Sequence, residues 1–425
     1  MTTPTQRITQ LASHLDPRTW SGKGLAAVST KNDSDVVVVA LGRTPQCKAG
    51  KGGLKDTPFD VLVHQTLKGV LGRVPQLDPA LIQDVVVGNV RNENAAYYVR
   101  AAALAAGIPR ECPSLVVNRF CSSGLMAIRT VANQIQSGEI SCGLAAGVEH
   151  MSSHAKSAPH IHDDLAKASQ EAKDCELPMG ATSEFVSQDF NVSRADQDAY
   201  AARSHQRASA AQKAGYFDEE IFPVQAHVKE GDATSYKVLT QDDGIRHDTT
   251  AEKLAKIRPA FPEYAKEGGE AATTGGNASQ LTDGGAAMIL MTRRMANELQ
   301  LPIVAKYVAT AVAGLAPRIM GIGPSIAIPK LLDLTGVKKE EVDEFVVNEA
   351  FSSMAVYVQR QLGIPDEKYN TTGGSCALGH PLGATALRLV VQGLNNMKRT
   401  GGKVVVISMC VGTGQGAAGL FISEQ

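Results

Sequence analysis

The chain has 425 residues, with 42 lysines and arginines against 43 aspartates and glutamates, and a formal net charge of −1. This balance excludes a global field that would attract nucleic acid or an acidic membrane, so any anion site must be local. No apolar run approaches the roughly 18 residues that a membrane helix needs. The seven cysteines show neither a paired framework nor a metal-binding spacing, which favours a reducing compartment. The length and the 40 glycines are typical of a turn-rich α/β enzyme with two or three domains.

The first 35 residues differ from the rest and contain a segment that predicts a short amphipathic helix. Ile8, Leu11 and Leu15 share one face of it, with Arg7 and His14 alongside at helical spacing. The order Arg, aliphatic residue, five residues, His-Leu resembles an N-terminal peroxisomal address, which an import receptor reads. The alternatives are a disordered leader and a presequence for the mitochondrial matrix, and the few arginines weaken the second.

Two similar sets of elements follow the leader. In the first set, 36–40 and 85–87 are apolar runs typical of buried strands. The second set begins near Ile303 and ends with the apolar strand 404–409. Each set reads as strand, turn carrying a reactive residue, helix, glycine-bearing turn and strand. This pattern predicts an internal duplication in which two halves pack sheets against helix layers around a shared core.

Cys121 is the most informative residue of the first set. A strand-like stretch at 114–117 runs into a small-residue turn, and a helix is predicted from about Gly124 to Gln136. The thiol would therefore lie at a helix N-terminus, where free N–H groups and the helix dipole favour thiolate, the nucleophilic form. A lone cysteine is more often a small buried hydrophobic residue, so the interpretation depends on partners elsewhere in the chain.

The segment between the two sets, about 151–275, is polar and is predicted to be an inserted loop domain. Several histidines between 150 and 162 suggest a metal site, but their spacing is unlike that of zinc ligands, so a surface loop is favoured. A helix is predicted from Ser193 to Lys213, with Ser193 as its N-cap. We expect His205 on this helix to be a solvated or capping group.

The partners for Cys121 come from the second set. Asn348 follows a strand-like segment, His380 lies in a glycine-rich loop before a helix, and Cys410 ends the strand 404–409. Glycines let the backbone approach a ligand closely, and free N–H groups such as that of Gly412 can stabilise an oxyanion. Considered alone, Asn348 could instead be a helix N-cap and Cys410 a core thiol.

At these residues the chain resembles the thiolase family, over about 36–421. Three further blocks carry the resemblance, at 180–184, 258–261 and 276–284. The resemblance implies an α/β, thiolase-like fold in which two similar halves pack as a layered αβαβα sandwich with the inserted loop domain. The implied division is a targeting leader (1–35), a first half (36–150 plus 276–298), a substrate-facing loop domain (151–275) and a second half (299–425).

The chain departs from the family's usual pattern in three places. Ser375 and Cys376 stand where two apolar residues are usual, and Phe185 stands where an asparagine is common. The stretch 262–275 is longer than usual. These departures concern the acyl pocket and its covering loop.

The family resemblance implies thiolytic cleavage of a 3-ketoacyl-CoA by CoA, the last step of fatty-acid β-oxidation. Cys121 would attack the 3-keto carbon, and His380 would take its proton. The products would be acetyl-CoA, which leaves as an enolate protonated by Cys410, and a shortened acyl group on Cys121. A fresh CoA thiol, deprotonated by His380, would then remove that acyl group. The reverse order is a Claisen condensation.

The resemblance also implies which groups contact the substrate. One oxyanion site would be His380 with a water held by Asn348, and the other would be the N–H groups of Cys121 and Gly412. The implied CoA and acyl contacts are Arg246 for the nucleotide, Ser279 for the pantetheine arm, and Phe261 and Phe351 as tunnel walls. For Arg246, a surface ion pair with the nearby Asp242 and Asp243 is the alternative.

No metal and no cofactor are implied, because CoA is a substrate, and a homodimer is expected. The alternative functions are an acetoacetyl-CoA thiolase joining two acetyl-CoA, a decarboxylating ketoacyl synthase, and a non-catalytic acyl-CoA- or lipid-binding scaffold. The synthase lacks a second cysteine in a Cys-x-Gly-x-Gly turn, whereas Cys410 is present here. A scaffold would have lost Cys121 or His380. The N-terminal address favours fatty-acid breakdown in the peroxisome.

Overall fold

The computed structural model describes residues 22–153 and 159–425. The predicted import signal at Arg7, Leu11, His14 and Leu15 lies outside the described residues. Within them, no helix is long and apolar enough to cross a membrane. Nor does this part of the chain place three or more His, Cys, Asp or Glu side chains where they could hold a metal ion together. All seven cysteines are free thiols.

Strands and helices alternate through the first half, where runs of valine form buried strands and amphipathic segments form helices. The elements are α1 (Leu25–Ser29), β1 (Val36–Arg43), β2 (Cys47–Lys48), α2 (Phe59–Leu71), β3 (Val85–Gly88), α3 (Ala95–Ala105), β4 (Ser114–Val117), α4 (Ser123–Ser137) and β5 (Cys142–His150). The predicted turn at Gly138 ends α4, and this glycine adopts a left-handed conformation with φ of 79°.

The segment between the halves, predicted as a polar loop domain, contains helices as well as loops. Ser193 and Asp196 form a capping box at the start of its longest helix, which confirms the predicted N-cap. Two strands of this segment form a separate hairpin. The elements are α5 (Asp163–Ala168), α6 (Gln170–Asp174), α7 (Met179–Asp189), α8 (Arg194–Lys213), β6 (Val224–Glu230), β7 (Ala233–Leu239) and α9 (Ala251–Ala255).

The chain then returns to the first half before it enters the second. The returning elements are β8 (Thr282–Thr292) and α10 (Arg293–Glu298). The second half consists of β9 (Ala305–Gly314), α11 (Gly323–Thr335), β10 (Glu344–Val347), α12 (Ser352–Leu362), α13 (Ser375–Leu378), α14 (Leu382–Thr400), β11 (Val404–Val411) and β12 (Gln415–Ser423).

The two halves share one pattern of strand pairing. In the first, β3 is parallel to β5, β5 is antiparallel to β8, and β8 is antiparallel to β1. In the second, β10, β11, β12 and β9 repeat this order and these directions. β1 and β9 join the halves as an antiparallel pair, with Val37 opposite Lys306. The predicted duplication is therefore confirmed at the level of topology, while the domain boundaries given above stay a prediction.

Helices and strands form five layers. α2 and α3 cover the outer face of the first half, and α11 and α12 cover the outer face of the second. α4 and α14 pack against each other between the two groups of strands. Each helix layer has its own apolar core, and the middle core combines residues from both halves. The middle layer is therefore where the chemistry of one half can meet that of the other.

Glycines allow a close approach at the start of the two central helices. A Cβ atom on Gly124 would lie 2.9 Å from the carbonyl oxygen of Gly383, and one on Gly383 would lie 2.6 Å from that of Gly88. Real side chains do not tolerate such distances to backbone, so glycine is needed here. Cys121 lies two residues before α4, and His380 lies two residues before α14. The two residues therefore occupy equivalent positions in the duplicated halves, and these positions converge.

Candidate active site

Cys121 lies in the turn between β4 and α4. Phe120, just before it, has a positive φ of 46°, which is uncommon for a residue with a side chain. The turn is held by hydrogen bonds from the Phe120 N–H to Asn118 Oδ1 at 3.0 Å and from the Ser123 hydroxyl to the Phe120 carbonyl at 2.6 Å. Only 8% of Cys121 is exposed. The sequence therefore places the thiol at the N-terminal end of α4, and the fold buries it there.

The imidazole of His380 contacts the Cys121 thiol, with 3.3 Å between Nε2 and Sγ. The other ring nitrogen, Nδ1, lies 2.6 Å from the Thr385 hydroxyl, which donates to the Pro381 carbonyl at 2.9 Å. Because that hydroxyl has one proton and uses it on Pro381, it accepts from Nδ1–H. Nε2 is therefore the unprotonated nitrogen, and it faces the thiol as a base.

Burial sets the ionisation of this pair. It lowers the pKa of His380 to about 3, and the charge of Arg388 adds to the effect. It also raises the pKa of Cys121 to about 12, with a contribution from Glu149. The N–H groups of Cys121 and Gly412 lower the thiol pKa, but by less than burial raises it. The expectation of a resting thiolate at the helix N-terminus is therefore wrong: the pair rests as neutral thiol and neutral imidazole.

This resting state predicts how Cys121 reacts with iodoacetamide. Because alkylation needs the thiolate, and burial holds the thiol pKa near 12, the rate should rise about tenfold per pH unit from pH 6 to pH 9. The rate is measured by mass spectrometry of the Cys121 peptide after timed quenching. The partly exposed thiol of Cys175 provides the reference alkylation rate within the same sample. A Cys121 rate that levels off below pH 7 would contradict the neutral pair.

Cys410 lies near the end of β11, and Gly412 lies in the turn between β11 and β12. The Gly412 N–H lowers the pKa of the Cys121 thiol, so this turn reaches Cys121. Cys410 is 1% exposed, and its Sγ lies 3.9 Å from the sulfur of Met354. Burial, together with the nearby Cys121, raises the pKa of Cys410. Cys410 therefore keeps its proton at neutral pH and can act as a proton donor.

Asn348 follows β10 and lies beside the imidazole. Its Nδ2 atom is 3.4 Å from His380 Nε2. Its Oδ1 atom accepts a hydrogen bond of 2.6 Å from the Ser375 hydroxyl. The alternative role as a helix N-cap is wrong, because Phe351 occupies that position for α12. The amide therefore presents a donor to the same point that His380 faces.

Two of the four implied substrate residues lie close to this centre. A short β-bridge joins Ala278 to Phe351, and the Ser279 N–H donates to the Ala350 carbonyl at 3.0 Å. The next residue, Gln280, accepts from the His380 N–H at 3.0 Å. Phe351 also packs on the apolar cluster around Cys410. Ser279 and Phe351 are therefore placed beside the two cysteines and the histidine, and their roles stay predictions.

Phe261 and Arg246 lie on the inserted segment. The Phe261 ring occupies the space that a Cβ atom on Gly180 would need, since that atom would lie 2.2 Å from the ring. Neither carboxylate near Arg246 pairs with it: Asp242 binds Arg43, while Asp243 accepts backbone N–H groups. The alternative of a surface ion pair with these residues is therefore wrong. Contact between Arg246 and a nucleotide stays a prediction.

His205 is neither solvated nor a helix cap. Its side chain is fully buried, and Nδ1 accepts a hydrogen bond of 3.1 Å from the Arg246 N–H. Burial and the charges of Arg246 and His247 lower its pKa to about 4. His205 therefore stays neutral and holds the backbone of the segment that carries Arg246.

Several residues that shape the site were not identified from the sequence. Thr385 fixes the tautomer of His380, and its position five residues later, on the first turn of α14, is a signal that could have been used. Glu149 and Arg388 are fully buried charges, each within an apolar run of the sequence, and a charge in such a run is a second signal. Ser375 had been noted only as a departure from the family pattern.

The comparisons with known proteins agree with this geometry. The family model described as the thiolase N-terminal domain matches residues 36–294, and the thiolase C-terminal domain matches residues 301–423. A peroxisomal 3-ketoacyl-CoA thiolase from Yarrowia lipolytica is 45% identical over 421 residues, which cover 98% of this chain and 100% of the relative. The human peroxisomal 3-ketoacyl-CoA thiolase is 44% identical over 400 residues, 93% of each chain. The chain belongs to the thiolase family.

Solved structures show the same fold. The dimeric peroxisomal thiolase of Saccharomyces cerevisiae is 42% identical, with a TM-score of 0.86 over 93% of this chain and 99% of that one. A second structure of the peroxisomal 3-ketoacyl-CoA thiolase of this yeast, with a TM-score of 0.76 and 38% identity over 93% of this chain and 100% of that one, is described as five α-β-α-β-α layers built from two core domains of identical topology. The layered fold predicted for this chain is confirmed.

Proposed function

We propose that this chain is a 3-ketoacyl-CoA thiolase, an acyltransferase that uses CoA to cleave a 3-ketoacyl-CoA into acetyl-CoA and a shortened acyl-CoA. The observation that carries the proposal is the placement of the Cys121 thiol 3.3 Å from the unprotonated nitrogen of His380, beside a second buried thiol, Cys410. The names of the relatives at 42–45% identity over nearly the whole chain support the same substrate class.

In the first half-reaction the resting neutral pair reacts with the keto group. The Cys121 sulfur adds to the 3-keto carbon while its proton passes to His380 Nε2, since neither ion is stable alone in this buried site. The bond between carbons 2 and 3 then breaks, and its electrons form the enolate of acetyl-CoA. The Cys410 thiol protonates carbon 2 of that enolate and is left as a thiolate. The shortened acyl group remains on Cys121 as a thioester.

In the second half-reaction an incoming CoA thiol attacks the acyl-cysteine. The proton that His380 carries passes to the Cys410 thiolate, which restores the starting thiol. The freed imidazole then takes the proton of the CoA thiol and returns it to the Cys121 sulfur as that sulfur leaves. The oxygen of the tetrahedral intermediate can accept from the N–H groups of Cys121 and Gly412, which lower the pKa of the Cys121 thiol. The enolate oxygen can accept hydrogen bonds from His380 Nε2–H and from Nδ2 of Asn348.

Thiolysis is tested with short-, medium- and long-chain 3-ketoacyl-CoA substrates and free CoA, with the acyl-CoA products identified by mass spectrometry. We expect acetyl-CoA and an acyl-CoA two carbons shorter from each substrate that is turned over. Turnover restricted to acetoacetyl-CoA, or its formation from two acetyl-CoA, would favour the synthetic alternative. Binding of acyl-CoA without any turnover would favour a non-catalytic scaffold.

The peroxisome is the compartment that fits this function, since the relatives from Yarrowia, Saccharomyces and human are all named peroxisomal. We expect residues 1–35, fused to a fluorescent reporter, to direct the reporter to peroxisomes. Arg7→Glu with His14→Asp should leave it cytosolic, because both residues belong to the proposed receptor-binding face. Thr9→Glu with Ser13→Asp is the matched control on the other face. Mitochondrial fluorescence would contradict the prediction.

A homodimer is proposed from the exposed edge of the sheet. β4 pairs with β3 on one side only, and Leu115 on it is 44% exposed. Tyr97, 78% exposed, and Leu104, 44% exposed, lie on α3, which packs against β4. An exposed apolar edge strand is a surface on which a second copy can pair. The yeast structure with a TM-score of 0.86 is described as dimeric.

Leu115→Lys is therefore expected to weaken the dimer, because it places charges opposite each other across a two-fold interface. Light scattering across a range of protein concentrations measures the change. Leu334→Lys, on an exposed position of α11, is the control and should leave the dimer intact. A stable, active monomer of the unchanged chain would reject the proposal.

A further inference from the structure

We propose that Ser375 is a positioning residue that fixes which end of the Asn348 amide faces the reaction centre. This inference deepens the proposed function and rests on it. Ser375 is fully buried at the start of α13. Its hydroxyl lies between the Asn348 side chain, at 2.6 Å, and the guanidinium of Arg388, at 2.5 Å. It thus connects a buried charge to a group beside the nucleophile.

The direction of the hydrogen bonds follows from the donors available. A guanidinium can only donate, so Ser375 must accept from Arg388. The single hydroxyl proton of Ser375 is then free to be donated, and the acceptor within reach is Oδ1 of Asn348. If the Asn348 amide were turned over, its NH₂ group would face the hydroxyl, and the hydroxyl proton would lose the acceptor within its reach. Ser375 therefore keeps the amide oxygen away from the catalytic histidine.

The orientation of Arg388 is itself fixed. Its second terminal nitrogen donates to Gln392 Oε1 at 2.7 Å. The amide nitrogen of Gln392 donates to Thr372 Oγ1 at 2.8 Å and to the Gly373 carbonyl at 2.7 Å, so Gln392 cannot turn over without losing both bonds. The Gly373 carbonyl, which can only accept, thus fixes the orientation of Gln392. Gln392 in turn positions Arg388, and Ser375 connects Arg388 to the Asn348 amide. The two terminal nitrogens of Arg388 are both bonded, while its Nε atom has no partner among the described residues, so the terminal nitrogens set the arrangement of this buried network.

The chemical consequence lies at the imidazole. Asn348 Nδ2 is 3.4 Å from His380 Nε2. Once His380 has taken the proton of Cys121, Nε2–H and Nδ2–H are two donors directed at one point, where the enolate oxygen carries negative charge. With the amide turned over, its oxygen would repel that charge. Arg388 does not reach Asn348 by itself, so the serine hydroxyl is the connection that prevents the turn.

The test compares Ser375→Ala in two backgrounds. In the otherwise unchanged enzyme we expect kcat for thiolysis to fall about tenfold, because Ser375 only orients the Asn348 donor, and this costs less than losing the donor itself. The KM values for CoA and for the 3-ketoacyl-CoA should stay within about twofold. In an Asn348→Ala background the same change should leave kcat within about twofold of the single Asn348 variant, because the amide that Ser375 holds is gone.

A merely structural role for Ser375 would lower activity equally in both backgrounds, and that result overturns the proposal. An unchanged kcat for Ser375→Ala overturns it too, and in that case thiolysis by the unchanged chain shows that the proposed function still stands. The control is Ser353→Ala, which removes an equally buried hydroxyl that bonds Ser183 at 2.7 Å and should keep wild-type kcat. If the alanine variant does not fold, Ser375→Cys, similar in size but a weak hydrogen-bonding partner, is judged by the same two criteria.

Discussion

Replacing Cys121 with alanine is expected to lower kcat for thiolysis by about 10⁴-fold or more, which is the scale for removing a covalent nucleophile. The physical reason is that the reaction has no second route: the acyl group must reside on a sulfur that contacts His380 Nε2, and Cys121 is the thiol that lies 3.3 Å from it. Binding of acyl-CoA should remain, because the N–H groups of residue 121 and Gly412 are unchanged.

The acyl-enzyme is the direct measurement. The unchanged protein is mixed with acetoacetyl-CoA without free CoA, quenched in acid, digested and weighed by peptide, and an added acetyl group is expected on Cys121. Cys376→Ala is the matched control. Like Cys121, Cys376 is buried, but it lies in the second half, and its thiol contacts Ser352 and backbone carbonyls. An acyl label on Cys376 or Cys410, with none on Cys121, would disprove the assignment of the nucleophile.

Cys410→Ser is expected to lower kcat for thiolysis by about 10³-fold, within the range for a proton donor at the reacting carbon. The serine hydroxyl is a much weaker acid than a thiol, so carbon 2 of the leaving enolate would have no suitable donor. Transfer of an acyl group between CoA and Cys121 does not break a carbon–carbon bond. We therefore expect that exchange to be reduced far less, by at most about tenfold, because His380 serves the proton transfers of that reaction.

The two reactions are followed side by side, thiolysis by the appearance of acetyl-CoA and exchange by transfer of a labelled acyl group between CoA molecules. Cys142→Ser provides the control, because it places a hydroxyl at another fully buried thiol, on β5 and away from the centre. Equal losses in both reactions would show that Cys410 has no separate role in proton transfer.

Local signals predicted the elements that bring the site together. Valine runs located β3 and β11, and the N-cap Ser193 located the start of α8. A small-residue turn placed Cys121 before α4, and a glycine-rich loop placed His380 before α14. These predictions succeed because a strand, a cap or a helix start depends on residues that are adjacent in the chain.

The ionisation of the site could not be predicted in the same way. The N-terminus of a helix favours the Cys121 thiolate, and the sequence shows that helix, but burial outweighs it and raises the pKa to about 12. Burial results from the packing of two halves whose contacting residues are 259 positions apart. The same holds for His205, whose surroundings are set by the segment of Arg246, and for the contact between Ser375 and Asn348.

The inserted segment shows a further limit of sequence reasoning. Its polar composition predicted a loop domain, yet α8 alone spans 20 residues. A helix whose buried face consists of alanine, serine and other small or polar residues carries little apolar periodicity, so the usual signal is weak. Only the cap at Ser193 identified this helix in advance.

The equivalent positions of Cys121 and His380 explain how a repeated unit can act asymmetrically. In a complex of two identical copies, a two-fold axis would place two identical residues side by side at the point where the helices converge. Two thiols, or two imidazoles, of equal proton affinity have no preferred direction for a proton between them. Joining both copies in one chain keeps the convergence of α4 and α14 but lets the two positions differ. The shared geometry then brings the residues together, and the difference between a thiol and an imidazole gives the proton its direction.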